Sequence, residues 1–403
     1  MEADPLDQIF DEYLESPTLF KQREALSAAF VPPRLPHRTG EIKTVGSTLA
    51  VTLKGATPSN IFVYGKPGTG KTAVVRHVLS HLEKRAQDRG IPFASAYINC
   101  QIVDTNYRVM ATLCASLGVQ VPFTGLPADE VYNRFCDALD RSANIFVIVL
   151  DEVDALVKKS GEQTLYNLTR INTTLKNARV SLIGVSNDLK FREYLAPRVL
   201  SSLSEQKISF FPYKAPEIIN ILQDRAELAF HHDALTSGVI PLIAALAASE
   251  HGDARRAIDL LRAAGEIAEK EQARTVSEAN VKEAQNLIER NTTTEVITNL
   301  PLQSRLVLGA IFLLETREKR SNHTTGEVYE KYYSLCKELG TEHLTQRRVS
   351  DLINELDVLG VVNARVISKG RYGRTKRIRI AISSTQIKTI LAADRYLGEL
   401  MVQ

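Results

Sequence analysis

The 403-residue sequence has no tryptophan and few sulfur-bearing side chains, with only three methionines and four cysteines. The cysteines are widely spaced, at Cys100, Cys114, Cys136 and Cys336. No Cys-x-x-Cys pair is present, which argues against a zinc ribbon and a disulfide framework and predicts reduced thiols buried in a core. His77 and His81 lie four residues apart on a predicted helix, but no third metal ligand is near them, so we interpret them as solvent-facing.

Long apolar runs are also missing. The longest, VIPLIAALAA at residues 239–248, contains Pro241 and falls well short of the roughly 20 residues that a membrane-spanning helix needs. We interpret it as a buried helix. The first 16 residues are acidic, with no basic leader and no apolar signal segment, so we expect a cytoplasmic protein with no membrane partner.

The net positive charge is small, but it is unevenly distributed along the chain. The chain is 44% hydrophobic and 24% charged, with a net charge of +3, a composition typical of a globular protein of two or three domains and not of a disordered one. Residues 297–403 carry 17 Lys and Arg against 11 Asp and Glu, whereas residues 1–296 carry 33 against 36. Residues 366–380, VISKGRYGRTKRIRI, hold six cations and no acid. The basic surface therefore belongs to the C-terminal quarter.

The clearest local motif is NIFVYGKPGTGKTAVVRHVLSHL at residues 60–82. A short β-prone run, a loop of the form G-x-x-x-x-G-K-[ST] and a helical apolar period follow one another in the order that a phosphate-binding loop requires. Its backbone amides and the start of the helix favour an anion. The predicted nucleotide contacts are Gly65, Lys66, Pro67, Gly68, Thr69, Gly70, Lys71, Thr72 and Ala73. Lys71 would reach the β and γ phosphates of ATP or the β phosphate of ADP, and Thr72 would ligate Mg²⁺.

A second motif, NIFVIVLDEVDALV at residues 144–157, predicts a strand buried on both faces that ends in two carboxylates. Asp151 would hold Mg²⁺ through water, and Glu152 would polarise the attacking water. Alone, the motif is equally typical of a strand followed by an acidic helix start; beside a phosphate loop, the catalytic interpretation is favoured. A third strand, residues 179–188, ends in Ser-Asn-Asp, and Asn187 either orients water or belongs to a turn.

With these motifs in order, the sequence resembles the AAA+ ATPases. More narrowly, it is similar to the archaeal replication initiators related to the origin recognition complex and the cell division control loader, from about Phe20 to the end. Three further stretches carry the narrower resemblance: RLPHRTGEI at residues 34–42, PRVLSSL at residues 197–203 and GDARRAIDLLR at residues 252–262.

The resemblance implies roles for further residues. Asn187 matches the first sensor of the γ phosphate, and Arg255 matches a lid arginine that touches the nucleotide phosphates. Arg198 matches the arginine that acts on a neighbouring subunit's nucleotide. His37 and Arg38 match a segment beside the adenine. Without the resemblance, Arg255 would be a solvated residue of an amphipathic helix and residues 34–42 a proline-rich linker.

The C-terminal region has a new periodicity, which predicts three helices followed by a β-hairpin, a winged helix-turn-helix. Thr325 is expected to cap the second helix and Thr345 the third. The third helix would enter a major groove, and the hairpin would form the wing. The predicted DNA contacts are Gln346, Arg347, Arg348, Lys369, Arg371, Tyr372, Arg374 and Lys376. A hairpin whose charges are merely solvated is the alternative, although so many like charges repel one another unless an anion is bound.

These observations predict an α/β AAA+ P-loop NTPase core with a parallel sheet at residues 1–212, a small α-helical lid at residues 213–295 and a winged helix at residues 296–403. The resemblance implies a slow regulatory ATPase that binds double-stranded origin DNA in the nucleoid. Its implied partners are paralogous initiator subunits and the replicative helicase. Two alternatives share the motifs: another DNA-bound AAA+ switch, such as a transposition helper or plasmid-replication ATPase, and a transcription regulator that holds ADP without hydrolysis.

Overall fold

The structure is a computed structural model that describes residues 18–27, 30–122, 125–142, 144–203, 205–250, 252–318, 322–368, 374–394 and 396–398. The chain divides into two units, Met1–Lys282 and Glu283–Gln403. Each unit has a hydrophobic core of its own.

The first unit contains an α/β core and a helical lid. Its strands are β1 (Ile61–Gly65), β2 (Phe93–Asn99), β3 (Ile145–Asp151), β4 (Arg179–Ser186) and β5 (Gln206–Phe210). The helices of the core are α1 (Thr39–Leu49), α2 (Lys71–Asp88), α3 (Asn106–Ser116), α4 (Ala128–Ser142), α5 (Val153–Ser160), α6 (Gln163–Arg170) and α7 (Pro197–Leu203). Short 3₁₀ helices lie at Arg23–Leu26, Ala50–Lys54, Ile171–Thr173 and Phe191–Tyr194.

The sheet of the core runs in the order β2-β3-β4-β1-β5, and each described pair of neighbouring strands is parallel. Strands β1 and β3 are buried along their whole length, as expected for strands covered by helices on both faces. Asp151 is in register with Asn99 on one side and Val185 on the other. The carboxyl ends of the strands therefore place the predicted polar residues at one edge, where such sheets bind ligands.

Apolar side chains cover both faces of this sheet. The helical period predicted after the phosphate loop is confirmed, because α2 buries Val74, Val75, Val78, Leu79 and Leu82 in the core on one face. Helices α3 and α4 contribute to the core on the other face. All four cysteines are buried free thiols, as predicted.

The lid follows β5 and consists of α8 (Ala215–Ala229), α9 (Val239–Ser249) and α10 (Ala254–Lys270). Helix α9 is the apolar run of residues 239–248, and it buries Val239, Ile243, Ala244 and Ala247 as predicted. Among the described residues, no single helix has both the length and the apolar composition of a membrane span; only the sharply bent pair Glu278–Thr298 and Leu302–Thr316 meets that criterion together.

The second unit is a winged helix, which confirms the predicted fold. Its elements are α11 (Glu278–Thr298, which begins in the first unit), α12 (Leu302–Glu318), β6 (His323–Thr324), α13 (Thr325–Glu338), α14 (Gln346–Val358), β7 (Val362–Ser368), β8 (Arg374–Ile380) and α15 (Ser384–Ala392). Strand β8 pairs antiparallel with both β6 and β7. The predicted contacts Lys369, Arg371 and Tyr372, and the side chain of Arg374, lie outside the described residues.

Of the two helix caps predicted in this unit, one is confirmed and the other is wrong. Thr345 accepts a hydrogen bond from the backbone N of Arg348 and caps α14, as predicted. The cap of α13 is Thr324, so the prediction of Thr325 was wrong by one residue. Thr324 has an extended backbone and forms a capping box with Glu327, whereas Thr325 is already helical.

Candidate nucleotide site and nucleic-acid surface

The phosphate loop is folded around its own lysine. Gly68 and Gly70 have φ of 70° and 87°, which side-chain-bearing residues rarely adopt. The Lys71 ammonium donates to the backbone O of Gly65 at 2.8 Å and of Lys66 at 2.7 Å. Burial lowers the pKa of Lys71 to about 8, against the opposing field of Asp151. The ammonium is thus held inside the loop by carbonyls that a phosphate oxygen can replace.

Asp151, at the end of β3, is buried and hydrogen-bonded through both carboxylate oxygens. Its Oδ2 accepts from Thr72 Oγ1 at 2.7 Å and from Tyr97 OH at 2.5 Å. Its Oδ1 accepts from the backbone N of Glu152 at 2.9 Å. A hydroxyl and a carboxylate side by side fit Mg²⁺, which is commonly held by one or two protein carboxylates, substrate phosphates and water. In the described residues, no group of three or more His, Cys, Asp or Glu side chains forms a metal cage.

Glu152 and Asn187, predicted from two separate strands, lie together. Both residues line the cleft, and the Asn187 backbone N donates to Asp154 Oδ1 at 3.3 Å. Burial raises the pKa of Glu152, as do Asp151 and Asp154, while Arg255 and Asn187 oppose the shift. Glu152 Oε2 is buried without a hydrogen-bond partner in the described part of the chain. One oxygen of Glu152 is therefore available to accept a proton.

The lid closes onto the phosphate loop through the start of α10. Asp253 caps this helix by accepting at Oδ1 from the backbone N of Arg255 at 2.8 Å. The backbone N of Ala254 donates to the O of Gly68 at 3.2 Å. A Cβ added at Gly68 would lie only 1.7 Å from Asp253 Oδ1. The contact brings Arg255 to the wall of the cleft.

The cleft between core and lid encloses about 170 Å³. Its wall also includes Arg225, which belongs to none of the sequence motifs. The Arg225 guanidinium donates to the backbone O of Ala25 at 2.7 Å and of Phe30 at 3.1 Å, and it lies 5.0 Å from the Phe30 ring centroid. Burial lowers the pKa of Arg225. This arginine fastens the N-terminal segment across one side of the cleft.

His37 and Arg38, predicted beside the adenine, are not on the wall of this cleft. Arg38 is buried, and it donates to the O of Thr69 at 3.0 Å, to Tyr213 OH at 2.9 Å and to the O of Phe211 at 2.6 Å. The His37 Nε2 lies 3.0 Å from the side-chain amide of Asn220. Arg38 therefore supports the phosphate loop from behind, because its donors are already engaged. The wall is instead formed by residues that precede them in the chain: Phe30, Val31, Pro32, Arg34, Leu35 and Pro36.

Arg198, on α7, is on the surface and outside the cleft. Its side chain is 61% exposed and forms an ion pair with Glu162 at 3.2 Å. The guanidinium also lies 5.2 Å from the Tyr166 ring centroid. Arg198 therefore does not contribute to the nucleotide cleft of its own chain.

The winged helix presents a basic surface around the start of α14, where Gln346, Arg347 and Arg348 are exposed. Gln346 and Arg347 line a groove with Thr325 and Lys376. The Lys376 ammonium donates to the O of Ser350 at 2.8 Å and to its Oγ at 2.7 Å. Lys376 therefore braces β8 against α14, and its ammonium is already engaged within the unit.

The outward face of the hairpin carries a further cation, which lies just before the basic run of residues 366–380. Arg365 on β7 is directly opposite Arg377 on β8, and Arg379 follows on the same face. All three are exposed. Like charges directly opposite one another are destabilising, so this face favours a bound polyanion. Aligning the two predicted strands as a hairpin would have revealed Arg365.

Family models match three stretches of the chain in order. They describe an AAA domain at residues 54–192, a Cdc6 AAA+ ATPase-type lid domain at residues 219–286 and a CDC6 C-terminal winged helix domain at residues 295–390. These matches confirm the predicted fold class.

Two curated relatives match almost the whole length. The ORC1-type DNA replication protein of Pyrococcus horikoshii is 53% identical over 401 residues, which cover 98% of this chain and 95% of the relative. ORC1-type DNA replication protein 1 of Methanosarcina mazei is 48% identical over 402 residues, which cover 100% and 97%. Among solved structures, the Aeropyrum pernix ORC1 protein in complex with DNA is 46% identical, with a TM-score of 0.82 over 95% of this chain and 99% of that one.

Proposed function

The chain belongs to the archaeal ORC1/Cdc6 family of AAA+ DNA replication proteins, and on that premise we propose that it binds duplex DNA at replication origins under the control of ATP. One observation carries the proposal. Lys71, Asp151 and Glu152 of the core and Arg255 of the lid meet in a single cleft, in a chain that also contains a winged helix.

The cleft supplies the groups that ATP binding requires. The Lys71 ammonium exchanges its two carbonyl partners for phosphate oxygens, and Arg255 adds a charge-assisted contact from the lid. Because Arg255 and the loop belong to different subdomains, a nucleotide that contacts both favours closure of the lid. Thr72 and Asp151 would hold Mg²⁺, which would neutralise charge on the β and γ phosphates.

Hydrolysis would use Glu152 and Asn187, which directly follow strands β3 and β4. Glu152 accepts a proton from water at its unpartnered Oε2, and its raised pKa makes it a stronger base than an ordinary carboxylate. Asn187 orients Glu152 and the water. Arg198 is outside its own cleft, so we propose that it acts on the nucleotide of a neighbouring initiator subunit. Because such an arginine accelerates phosphoryl transfer about 10³–10⁵-fold, turnover by an isolated chain would be slow and regulatory.

The winged helix supplies the DNA-binding surface. The exposed start of α14, with Gln346, Arg347 and Arg348, would enter a major groove. Arg365, Arg377 and Arg379 would contact phosphates from the outward face of the hairpin, and the predicted tip contacts Lys369, Arg371, Tyr372 and Arg374 would extend that surface. The similar A. pernix ORC1 protein was solved in complex with DNA, which supports this use of the fold. Deformation of the origin DNA and recruitment of the replicative helicase are further parts of the proposal, and they rest only on membership of the family.

ATP turnover tests the enzymatic part of the proposal. We expect Lys71→Ala to lose nucleotide binding, and Glu152→Gln to keep binding while turnover falls by about 10²–10⁴-fold, the usual contribution of a general base. Single-turnover release of phosphate, measured beside nucleotide affinity, separates the two effects. Equal background release by both variants and the wild type would instead support a regulator that holds nucleotide without hydrolysis.

Footprinting across the organism's genome tests the DNA part. Sharp occupancy at replication start sites is expected, and it should broaden when Lys71→Ala removes nucleotide control. Occupancy spread over promoters, with none at start sites, would contradict the proposal.

A further inference from the structure

Tyr97, on β2, contacts the carboxylate of Asp151 although it is not on the wall of the nucleotide cleft. Its hydroxyl donates to Oδ2 at 2.5 Å, the oxygen that also accepts from Thr72 Oγ1 at 2.7 Å. The Oδ1 oxygen accepts one bond, from the backbone N of Glu152 at 2.9 Å. An ionised carboxylate has about four acceptor positions, two on each oxygen. The two hydroxyls therefore fill Oδ2 and leave one free position on Oδ1.

The ring of Tyr97 is held on two sides. One side packs against the core formed by the sheet and α2. On the other, the guanidinium of Arg76 lies 4.0 Å from the ring centroid, a distance at which a cation is attracted to an aromatic face. Arg76 is four residues after Thr72, so it lies on the same face of α2 one turn further along. The hydroxyl is thereby directed at Asp151.

We propose that Tyr97 is a positioning residue for the metal-binding carboxylate: its hydroxyl fixes the orientation of Asp151 so that only Oδ1 remains available to Mg²⁺ or its water. The inference rests on the proposed Mg²⁺ site at Thr72 and Asp151. Thr72 contributes in a different way, because its single proton is donated to Asp151 and its lone pairs stay free for the cation. Partners that orient a metal ligand typically change metal affinity by about 10–100-fold when they are removed.

The test is the effect of Mg²⁺ on ATP affinity in the full chain. ATP titrations are performed with Mg²⁺ and with EDTA, for the wild type and for Tyr97→Phe, which keeps the ring and its contact with Arg76. We expect the Mg²⁺-dependent gain in affinity to fall by about 10–100-fold in the variant. Affinity in EDTA should stay within about twofold, because no hydrogen bond to the nucleotide is removed.

Tyr64→Phe is the matched control. Tyr64 lies on β1 directly before the phosphate loop, and its hydroxyl is buried with no hydrogen-bond partner in the described residues. Its removal should leave both affinities unchanged.

Each remaining outcome overturns the inference in a distinguishable way. If the wild type gains affinity from Mg²⁺ and Tyr97→Phe gains as much, the positioning role is wrong and the proposed metal site stands. If the wild type gains nothing from Mg²⁺, the metal site itself is wrong. If Tyr97→Phe lowers ATP affinity equally in Mg²⁺ and in EDTA, or if Tyr64→Phe shows the same loss, the Tyr97 hydroxyl contributes to folding of the loop and not to the position of Asp151.

Discussion

The nucleotide cleft and the winged-helix surface both carry cations that would contact phosphate, but they hold those cations differently. In the cleft, Lys71 is buried and bonded to two carbonyls, and Arg225 is bonded to two more. On the winged helix, Arg347 and Arg348 are exposed to solvent. Lys71 and Arg225 are thus ordered before a ligand arrives, whereas Arg347 and Arg348 would be ordered by the DNA that they bind.

The difference predicts different responses to salt and to mutation. Exposed cations bind a polyanion by releasing its counterions, so their contribution falls steeply as salt rises. Buried cations are screened much less, and removing one leaves the carbonyls around it without a partner. We therefore expect mutations of the buried cations in the cleft to lower the free energy of unfolding. Mutations of the exposed cations on the winged helix should lower DNA affinity without changing stability.

The largest effect is expected from Arg347→Ala combined with Arg348→Ala. DNA affinity near physiological salt should fall by about 10–100-fold, and the slope of log affinity against log salt should decrease by about 2. Fluorescence anisotropy on duplex DNA over a salt series measures both quantities. Lys337→Ala, at the far end of α13, removes one positive charge from the same unit and should change the slope little. An unchanged slope in the double variant would show that neither arginine contacts phosphate.

An intermediate effect is expected inside the cleft. Arg225→Met should lower the free energy of unfolding by about 1–3 kcal/mol, because the carbonyls of Ala25 and Phe30 lose a charged donor. Urea denaturation measures this loss. Arg274→Met, at an exposed position of the lid, should change stability little. If Arg225→Met is as stable as the wild type, the N-terminal segment is held by other contacts.

The smallest effect compares one helix cap in each unit. Asp253→Ala and Thr345→Ala should each cost about 1 kcal/mol of stability, the usual value of an N-cap. Only Asp253→Ala should also weaken ATP binding, by less than about tenfold, because its helix presents Arg255 to the cleft. Calorimetric titration with ATP, beside thermal unfolding, separates the two. Equal ATP affinity in both variants would mean that the start of α10 does not contribute to binding.

The parts of the site that could be predicted are those encoded locally. Lys71, Thr72 and Asp151 lie at the junctions of a strand with a loop or helix, and parallel strands bring such junctions to one edge. Glu152 and Asn187 meet for the same reason. The winged helix was predictable because apolar periodicity and turn residues mark each of its elements.

The parts that escaped prediction depend on contacts between distant segments. Arg225 resembles a surface arginine of an amphipathic helix, yet its partners Ala25 and Phe30 are about 200 residues away. Arg38 was expected to face the nucleotide, but Tyr213 and the backbone of Phe211 take up its donors. Tyr97 looks like any aromatic residue of a strand until β2 pairs with β3. No periodicity reveals such partners, because the pairing of chain segments decides them.

The close contact between Gly68 and Asp253 also determines how near the lid can come to the phosphate loop. A Cβ at residue 68 would overlap the Asp253 carboxylate, so the missing side chain provides the clearance within which the lid can approach the loop. A methyl group there would strain the loop at its φ of 70° and would also hold back Asp253 and, with it, Arg255. Nucleotide affinity therefore has two contributions. The loop makes one by itself, and the other exists only when the lid is closed.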